Sequence, residues 1–251
     1  MPTHTSDVES IARLWPRSGN VLALTGAGIS VASGIPDFRS PGGLWSRYDP
    51  MQVATTEALE RNPAQVWDFL MDAVRVMDRA QPNPAHLALA RLERAGMLSA
   101  IVTQNIDGLH QRAGSENVVE FHGSMASYRC NACAEPQDAA KAAGITPQTA
   151  PWRCACGGVV RPDIVFFGEA IPLDALNKSG QLAIGAQLVL IVGTSCEVAP
   201  ANVLPGLANQ HGGKVAEINM EPSRMAHLCD ARVQARAEDA LPRLADLLLG
   251  A

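Results

Sequence analysis

Four cysteines in two tight pairs, Cys130-x2-Cys133 and, after twenty residues, Cys154-x-Cys156, are the strongest chemical signal in this chain. Four thiolates from two turns close a tetrahedral shell around zinc, and a closed shell leaves no position for substrate, so such a site is structural. A metal-free redox pair is the competing reading, and the second pair is one residue tighter than the usual C-x2-C. Cys196 and Cys229 stand alone beside apolar stretches and read as small buried hydrophobes.

Four further groups of residues suit a nucleotide-type ligand. Gly26-Ala27-Gly28 follows an apolar strand, where a glycine turn lets the backbone approach a pyrophosphate; with Val31 at the usual third glycine position, a tight turn without ligand is an equal reading. Ser33-Gly34-Ile35-Pro36-Asp37-Phe38-Arg39-Ser40 offers a carboxylate, an aromatic and a guanidinium just beyond that turn, or else a solvated loop. Thr103-Gln104-Asn105-Ile106-Asp107-Gly108-Leu109-His110 begins where a buried strand ends, the place where ligands bind in open parallel sheets; a hydrogen-bonded turn is the plain alternative. Phe121-His122-Gly123 also ends a strand, and an imidazole with an unperturbed pKa of ~6.5 suits a general base, although a lone histidine is more often structural.

These residues need elements to hold them. Continuous apolar runs at residues 20–25, 100–103, 188–192 and 214–218, with a weaker one at 118–121, read as strands buried on both faces. Helical stretches alternate with them. Ser6-x-x-Glu9 suggests a capping box and a helix through Trp15, Asn83-Pro84 a cap and first turn closed by Gly96, and Leu241, Leu244, Leu247 and Leu248 a final helix from about Asp239. The fold class is therefore α/β with a parallel sheet. Residues 41–82, helical without strands, and 126–160, with the cysteines and a short Ala-rich helix after Asp138, read as insertions. The expected division is a Rossmann-type domain of residues 1–40, 83–125 and 161–251, a cofactor loop and helical module at 41–82, and a zinc-binding module at 126–160.

A net charge of −5 among 251 residues argues against a nucleic-acid binder, which needs a basic footprint. The longest apolar run, residues 182–192, is broken by Gly185 and Gln187 and falls short of a membrane span of ~20 residues. The start, Met1-Pro2-Thr3-His4-Thr5, has no apolar signal core. A soluble, cytoplasmic protein is expected.

Taken in order, the motifs resemble the sirtuin family of bacterial type, over residues 20 to 230. Residues 26–30 and 33–39 are similar to its cofactor loop, residues 103–110 to its nicotinamide pocket, and His122-Gly123 to its catalytic dipeptide. Arg161-Pro162-Asp163-Ile164-Val165-Phe166-Phe167-Gly168-Glu169 resembles the segment that pairs with the substrate peptide. The resemblance implies NAD-dependent removal of acetyl groups from protein lysines, giving nicotinamide, O-acetyl-ADP-ribose and free lysine. It implies NAD as consumed co-substrate, one structural zinc on the four cysteines, and acetylated-lysine proteins or peptides as partners, without nucleic acid or membrane.

The same resemblance assigns roles. His122 is the base acting on the ribose hydroxyls, and Asn105 with Gln104 fixes the ribose and a water. Asp107 and the Ile106 backbone hold the carboxamide. Gly26, Ala27, Gly28 and Ser30 lie along the pyrophosphate, Phe38 covers the reacting face, and Asp37 and Arg39 complete the loop. Gly193, Thr194, Ser195, Asn219, Glu221 and Asp230 lie on the adenosine side. Val165 and Phe166 line the acyl-lysine tunnel, with Phe167, Gly168 and Glu169 beside the peptide.

Family members that prefer acidic acyl groups carry Tyr-x-x-Arg after Val-Trp-x-Phe; here Val66-Trp67-Asp68-Phe69 is followed by Leu70 and Ala73, which implies deacetylation and not desuccinylation. A mono-ADP-ribosyltransferase, or a deacylase of longer apolar chains, is the alternative. Glu217 stands out as a carboxylate in an apolar strand.

Overall fold

Val21, Leu22, Ala23, Leu24 and Thr25 are all buried, the pattern of a strand covered on both faces. The computed structural model describes residues 7–36 and 48–250. Its first half runs α1 (Val8–Leu14), β1 (Val21–Thr25), α2 (Pro50–Val53), α3 (Thr56–Arg61), α4 (Pro63–Arg79), α5 (Pro84–Arg94), β2 (Ala100–Thr103), α6 (Leu109–Arg112) and β3 (Val118–Glu120). The second runs β4 (Gly123–Cys130), β5 (Pro136–Gln137), β6 (Val160–Ile164), α7 (Leu173–Gly185), β7 (Leu188–Val192), α8 (Leu204–Gln210), β8 (Lys214–Asn219), β9 (Ala231–Gln234) and α9 (Ala237–Leu249).

Six strands form one parallel sheet in the order β3-β2-β1-β7-β8-β9. The chain winds outward from β1 through β2 to β3 and then returns to β1's other side with β7, so the order reverses between β1 and β7. Crevices form at such a reversal, beyond the strands' carboxyl ends.

Alternate residues of each strand feed opposite faces. Val21, Ala23, Leu188, Leu190 and Ile218 pack with α1, α5 and α9 through Ile11, Leu89, Leu92, Leu241 and Leu244. Leu22, Leu24, Val189, Ile191 and Val215 pack with α7 and α8 through Ala183, Leu204 and Ala208. Each such buried Val, Leu or Ile side chain contributes roughly 1.5–3 kcal/mol.

A second, antiparallel sheet has the order β5-β4-β6. Sequence pattern gives no hint of β4, because its residues show no clean alternation of burial. This sheet and α4 share one core of Val66, Trp67, Leu70, Tyr128, Trp152, Val160, Ile164 and Phe166. Trp67 Nε1 also donates to the Val160 carbonyl at 2.9 Å. The helix-rich and cysteine-bearing segments thus pack as a unit, and β4 and β6 run across residues 126 and 160, where the sequence pattern changes.

Local details differ in small ways. The cap of α1 is Asp7, whose Oδ1 accepts the Ser10 amide at 3.1 Å; Ser6 lies outside the described residues. The final helix starts at Ala237, two residues before Asp239. The Ala-rich stretch after Asp138 is a 3-10 helix, Ala139–Gly144. Among the described residues no helix is long and apolar enough to cross a membrane.

Candidate active site and metal centre

The carboxyl ends of β1, β2, β7 and β8 bring together Gly26, Gln104, Asn105, Thr194 and Asn219. Two close loops make the floor of the crevice. The Gly26 amide donates to Val192 O at 3.2 Å and the Gly28 amide to Gly193 O at 2.8 Å. A Cβ on Gly28 would lie 2.8 Å from Gly193 Cα, and one on Gly193 would lie 2.3 Å from the Ile29 amide nitrogen. The glycines therefore let β1's loop dock on β7's loop, and two of the three turn amides are used in doing so. This docking is by itself a sufficient reason for the glycines.

Ser30 lies in the 3-10 helix Ala27–Ser33, which Gly34 ends in the left-handed conformation. Its hydroxyl is 2.7 Å from Asp107 Oδ2 and accepts from Asn105 Nδ2 at 3.1 Å. Asn105 Nδ2 also donates to Gly26 O, and the Leu109 amide donates to Asp107 Oδ1 at 2.9 Å. Burial pushes the Asp107 carboxyl above the usual range, with the Leu109 and Ser30 hydrogen bonds opposing. Beneath them lies His86, which pattern reading passes over. As third residue of α5 it accepts the Asn83 amide on Nδ1 at 3.4 Å, completing a capping box. The proton is then on Nε2, 3.5 Å from Ser30 Oγ. His110 stacks edge-on to His86 at 4.9 Å and meets Thr25 Oγ1 at 2.9 Å.

His122 stands at the end of β3. Its Nδ1 lies 3.0 Å from the Gln104 carbonyl. A carbonyl only accepts, so Nδ1 carries the proton and Nε2 keeps its lone pair. Burial lowers the imidazole pKa from its ordinary value, against the opposing pull of the Gln104 bond. Gly123 is required beside it: φ is +75° and a Cβ would sit 2.1 Å from Asp163 O. Gln104 ties the two sides together, its Nε2 donating to Thr25 O and Thr194 Oγ1.

On the β7–β8 side, Asn219 is turned inward. Its Oδ1 accepts the Thr194 amide and its Nδ2 donates to Thr194 O, both at 3.0 Å. Glu217 is buried and accepts from Asn219 Nδ2, Ser223 N and Ser223 Oγ, with Arg232 Nε at 3.4 Å. Ser195 and Glu221 are exposed in the loops after β7 and β8. Asp230 is not brought to the crevice: it binds Lys214 Nζ and the Val215 amide at the amino end of β8, the opposite edge of the sheet. Asp37, Phe38 and Arg39 lie outside the described residues.

The segment after β6 is framed on both sides. The Val165 amide donates to His122 O and the Phe167 amide to Ala54 O, each at 2.8 Å. Phe166 is buried, Phe167 and Gly168 are exposed, and the Glu169 carboxylate faces inward.

The four cysteine sulfurs lie within 4.8 Å of one another. Individual separations are 3.5 Å for Cys130–Cys156, 3.9 Å for Cys133–Cys154 and 3.4 Å for Cys133–Cys156. Sulfurs ~2.3 Å from a tetrahedral zinc are ~3.8 Å apart, so the cluster fits a structural zinc, tight second pair included. The Ala132 and Gly158 amides point at Cys130 Sγ and Cys156 Sγ at 3.4 Å, as donors to thiolates. Gly158 leaves room that a Cβ, 2.7 Å from Cys130 Sγ, would fill. A redox pair needs two sulfurs; here four converge. Because β4 bulges between Ser124 and Tyr128, Gly123 pairs with Ile164 and Cys130 with Val160, four residue steps of β6 apart or roughly 13 Å, so the metal centre lies apart from His122.

A parallel-sheet protein with a crevice at its strand reversal and a four-cysteine module is thus defined. Residues 26–200 match the model of the Sir2 family, and the chain belongs to that family. It is 44% identical over 246 residues to an NAD-dependent protein deacetylase 1 of Pyrobaculum aerophilum, covering 98% of this chain and 96% of that one. It is 41% identical to an NAD-dependent protein deacylase of Pyrococcus furiosus, covering 94% and 96%. A solved Sir2 homologue in complex with NAD superposes with a TM-score of 0.90 at 36% identity, over 98% of this chain and 96% of the other.

Proposed function

We propose that this chain removes acetyl groups from protein lysine side chains with NAD as co-substrate, giving nicotinamide, O-acetyl-ADP-ribose and free lysine. The observation that carries the reading is the His122 tautomer. With Nδ1–H held by Gln104 O, Nε2 is the lone pair that takes a proton from a hydroxyl in the crevice.

The donor set suits NAD. Asn105, Ser30 and Asp107 form one hydrogen-bonded group at the end of β2, matched to a carboxamide and a ribose. NAD supplies the electrophilic ribose carbon from which nicotinamide leaves. Asn105 and Gln104 orient the ribose, Asp107 and the Ile106 backbone hold the carboxamide, and Gly26, Ala27 and Gly28 with Gly193, Thr194 and Ser195 form the floor. Within this reading Phe38 covers the reacting face, Arg39 contacts the cofactor's phosphate region and Asp37 is a further cofactor contact. Val165 and Phe166 enclose the acyl-lysine, and Phe167 and Gly168 meet the peptide. We also place the protein in the reducing cytoplasm, on its six cysteines, none of them in a disulfide.

An acetyl-lysine peptide incubated with and without NAD tests this. Deacetylation should require NAD, and His122→Ala should lower kcat/KM by ~10²–10⁴. Activity without NAD overturns the reading; labelled protein in place of free lysine turns it toward ADP-ribosyl transfer.

A further inference from the structure

The bulkiest fully buried side chain among the described residues is a charged one, Arg161 on β6, at 0% exposure. A buried guanidinium loses its hydration, and an apolar residue of similar size often serves stability as well or better. Its partners show what else it does. Nε donates to Asn131 Oδ1 at 3.0 Å, inside the Cys130-x2-Cys133 turn. Nη1 donates to the Ile164 carbonyl at 2.7 Å, and Nη2 pairs with Glu169 Oε1. The guanidinium also lies 4.5 Å above the Phe166 ring.

Glu169 completes the connection. Its Oε2 accepts the Phe166 amide at 2.9 Å, and Oε1 accepts the Thr56 hydroxyl at 3.1 Å. Arg161 and Glu169 therefore clamp residues 164–169 from within, fixing the carbonyl at one end and an amide in the middle. One further arm reaches the cysteine turn. A guanidinium can hold three acceptors in fixed directions at once, which a lysine ammonium on a flexible stem cannot reproduce here.

We propose that Arg161 is a positioning residue that couples the zinc-bound cysteine turn, through Asn131, to the acyl-peptide segment of residues 165–169. The inference rests on the reading of that segment as the peptide site. It gives the remote zinc a functional consequence without any part in proton transfer: the metal fixes Asn131, Asn131 fixes the guanidinium, and the guanidinium with Glu169 holds the segment in shape.

Two readouts on the zinc-loaded full chain test it, with Arg161→Lys, Asn131→Ala and the double variant; Asn131→Ala is the mild change should Arg161→Lys fold poorly. The first readout is amide hydrogen exchange. Exchange across residues 164–169 should accelerate about tenfold in each single variant and in chelator-stripped wild type, while β1 and β7 stay unchanged. The second is steady-state kinetics. KM for acetyl-peptide should rise about tenfold, with KM for NAD within twofold and zinc content still one per chain. The two substitutions should be non-additive, the double variant matching Arg161→Lys alone. Unchanged exchange at 164–169, additive effects, or equal loss of peptide and NAD binding would overturn the coupling. Faster exchange in a protein whose wild type does not deacetylate would uphold the coupling and sink the functional reading instead.

Discussion

The proton on His122 is placed by one hydrogen bond, to the Gln104 carbonyl, and burial lowers its pKa below the ordinary value of 6.5. A base works only when deprotonated, so the acid limb of kcat/KM should fall below pH 6.5 and the plateau should extend through neutrality. A pH–rate profile with its acid limb at or above pH 6.5 would remove His122 from that role. Acyl choice is also decided by single residues. Leu70 and Ala73 on α4 are buried, and Leu70 shares its core with Ile164 and Phe166. Neither can pair with a carboxylate, and an uncompensated buried charge costs ~3–5 kcal/mol. Succinyl-lysine peptide should therefore react ~10²–10³-fold more slowly than acetyl-lysine in side-by-side kcat/KM measurements. Glu217, an oddity in its strand, is accounted for by the Asn219 and Ser223 groups it accepts from, which shape the turn after β8.

Among the elements, the docking of β1's loop on β7's loop is the contact on which the crevice depends. Gly193 has φ +60° and no space for a Cβ; Gly34 has φ +85° with nothing within 4 Å. Gly34→Ala should cost only the left-handed backbone penalty, ~1–2 kcal/mol. Gly193→Ala adds a backbone clash and should cost at least ~2–3 kcal/mol in urea unfolding, with a weakened affinity for NAD. Equal losses for the two would mean that the loops part easily. The five strands visible as apolar runs are all present; β1, β2 and β7 are buried on both faces and need no partner information to be recognised, while β3, the weaker run, is only part-buried. β4 and β6 were not visible: their order comes from pairing with each other and from the packing of Trp67 and Trp152 above them.

For the molecule as a whole, two buried histidines set the response to acid. Burial lowers His86 to about 4, and burial, with repulsion from His86 once that ring is protonated, lowers His110 to about 3. In the unfolded chain both titrate near 6.5, so between about pH 6.5 and 4 the unfolded state binds more protons and stability rises with pH. The expected slope approaches ~1.4 kcal/mol per pH unit for each histidine, ~2.7 together, measured by urea unfolding at a series of pH values. A His86→Asn variant should remove about half of it. A flat profile over that window would show that neither histidine is held neutral.

Local features of this chain are legible from its residues alone. Apolar runs specified five of the six parallel strands, β9 being missed, cysteine spacing specified four sulfur ligands, and ordered motifs placed His122, Asn105 and Asp107 near strand ends. Tertiary structure decided what depends on groups far apart in the chain. Asp230 went to the far edge of the sheet because its carboxylate caps the start of β8, Asn219 turned in to hold Thr194, and the glycines proved to face another loop. Arg161 became buried because Asn131, Ile164 and Glu169 converge on it from separate segments. A side chain's type is written in the sequence, but the direction of its hydrogen bonds is fixed only when packing decides which partners come within 3 Å.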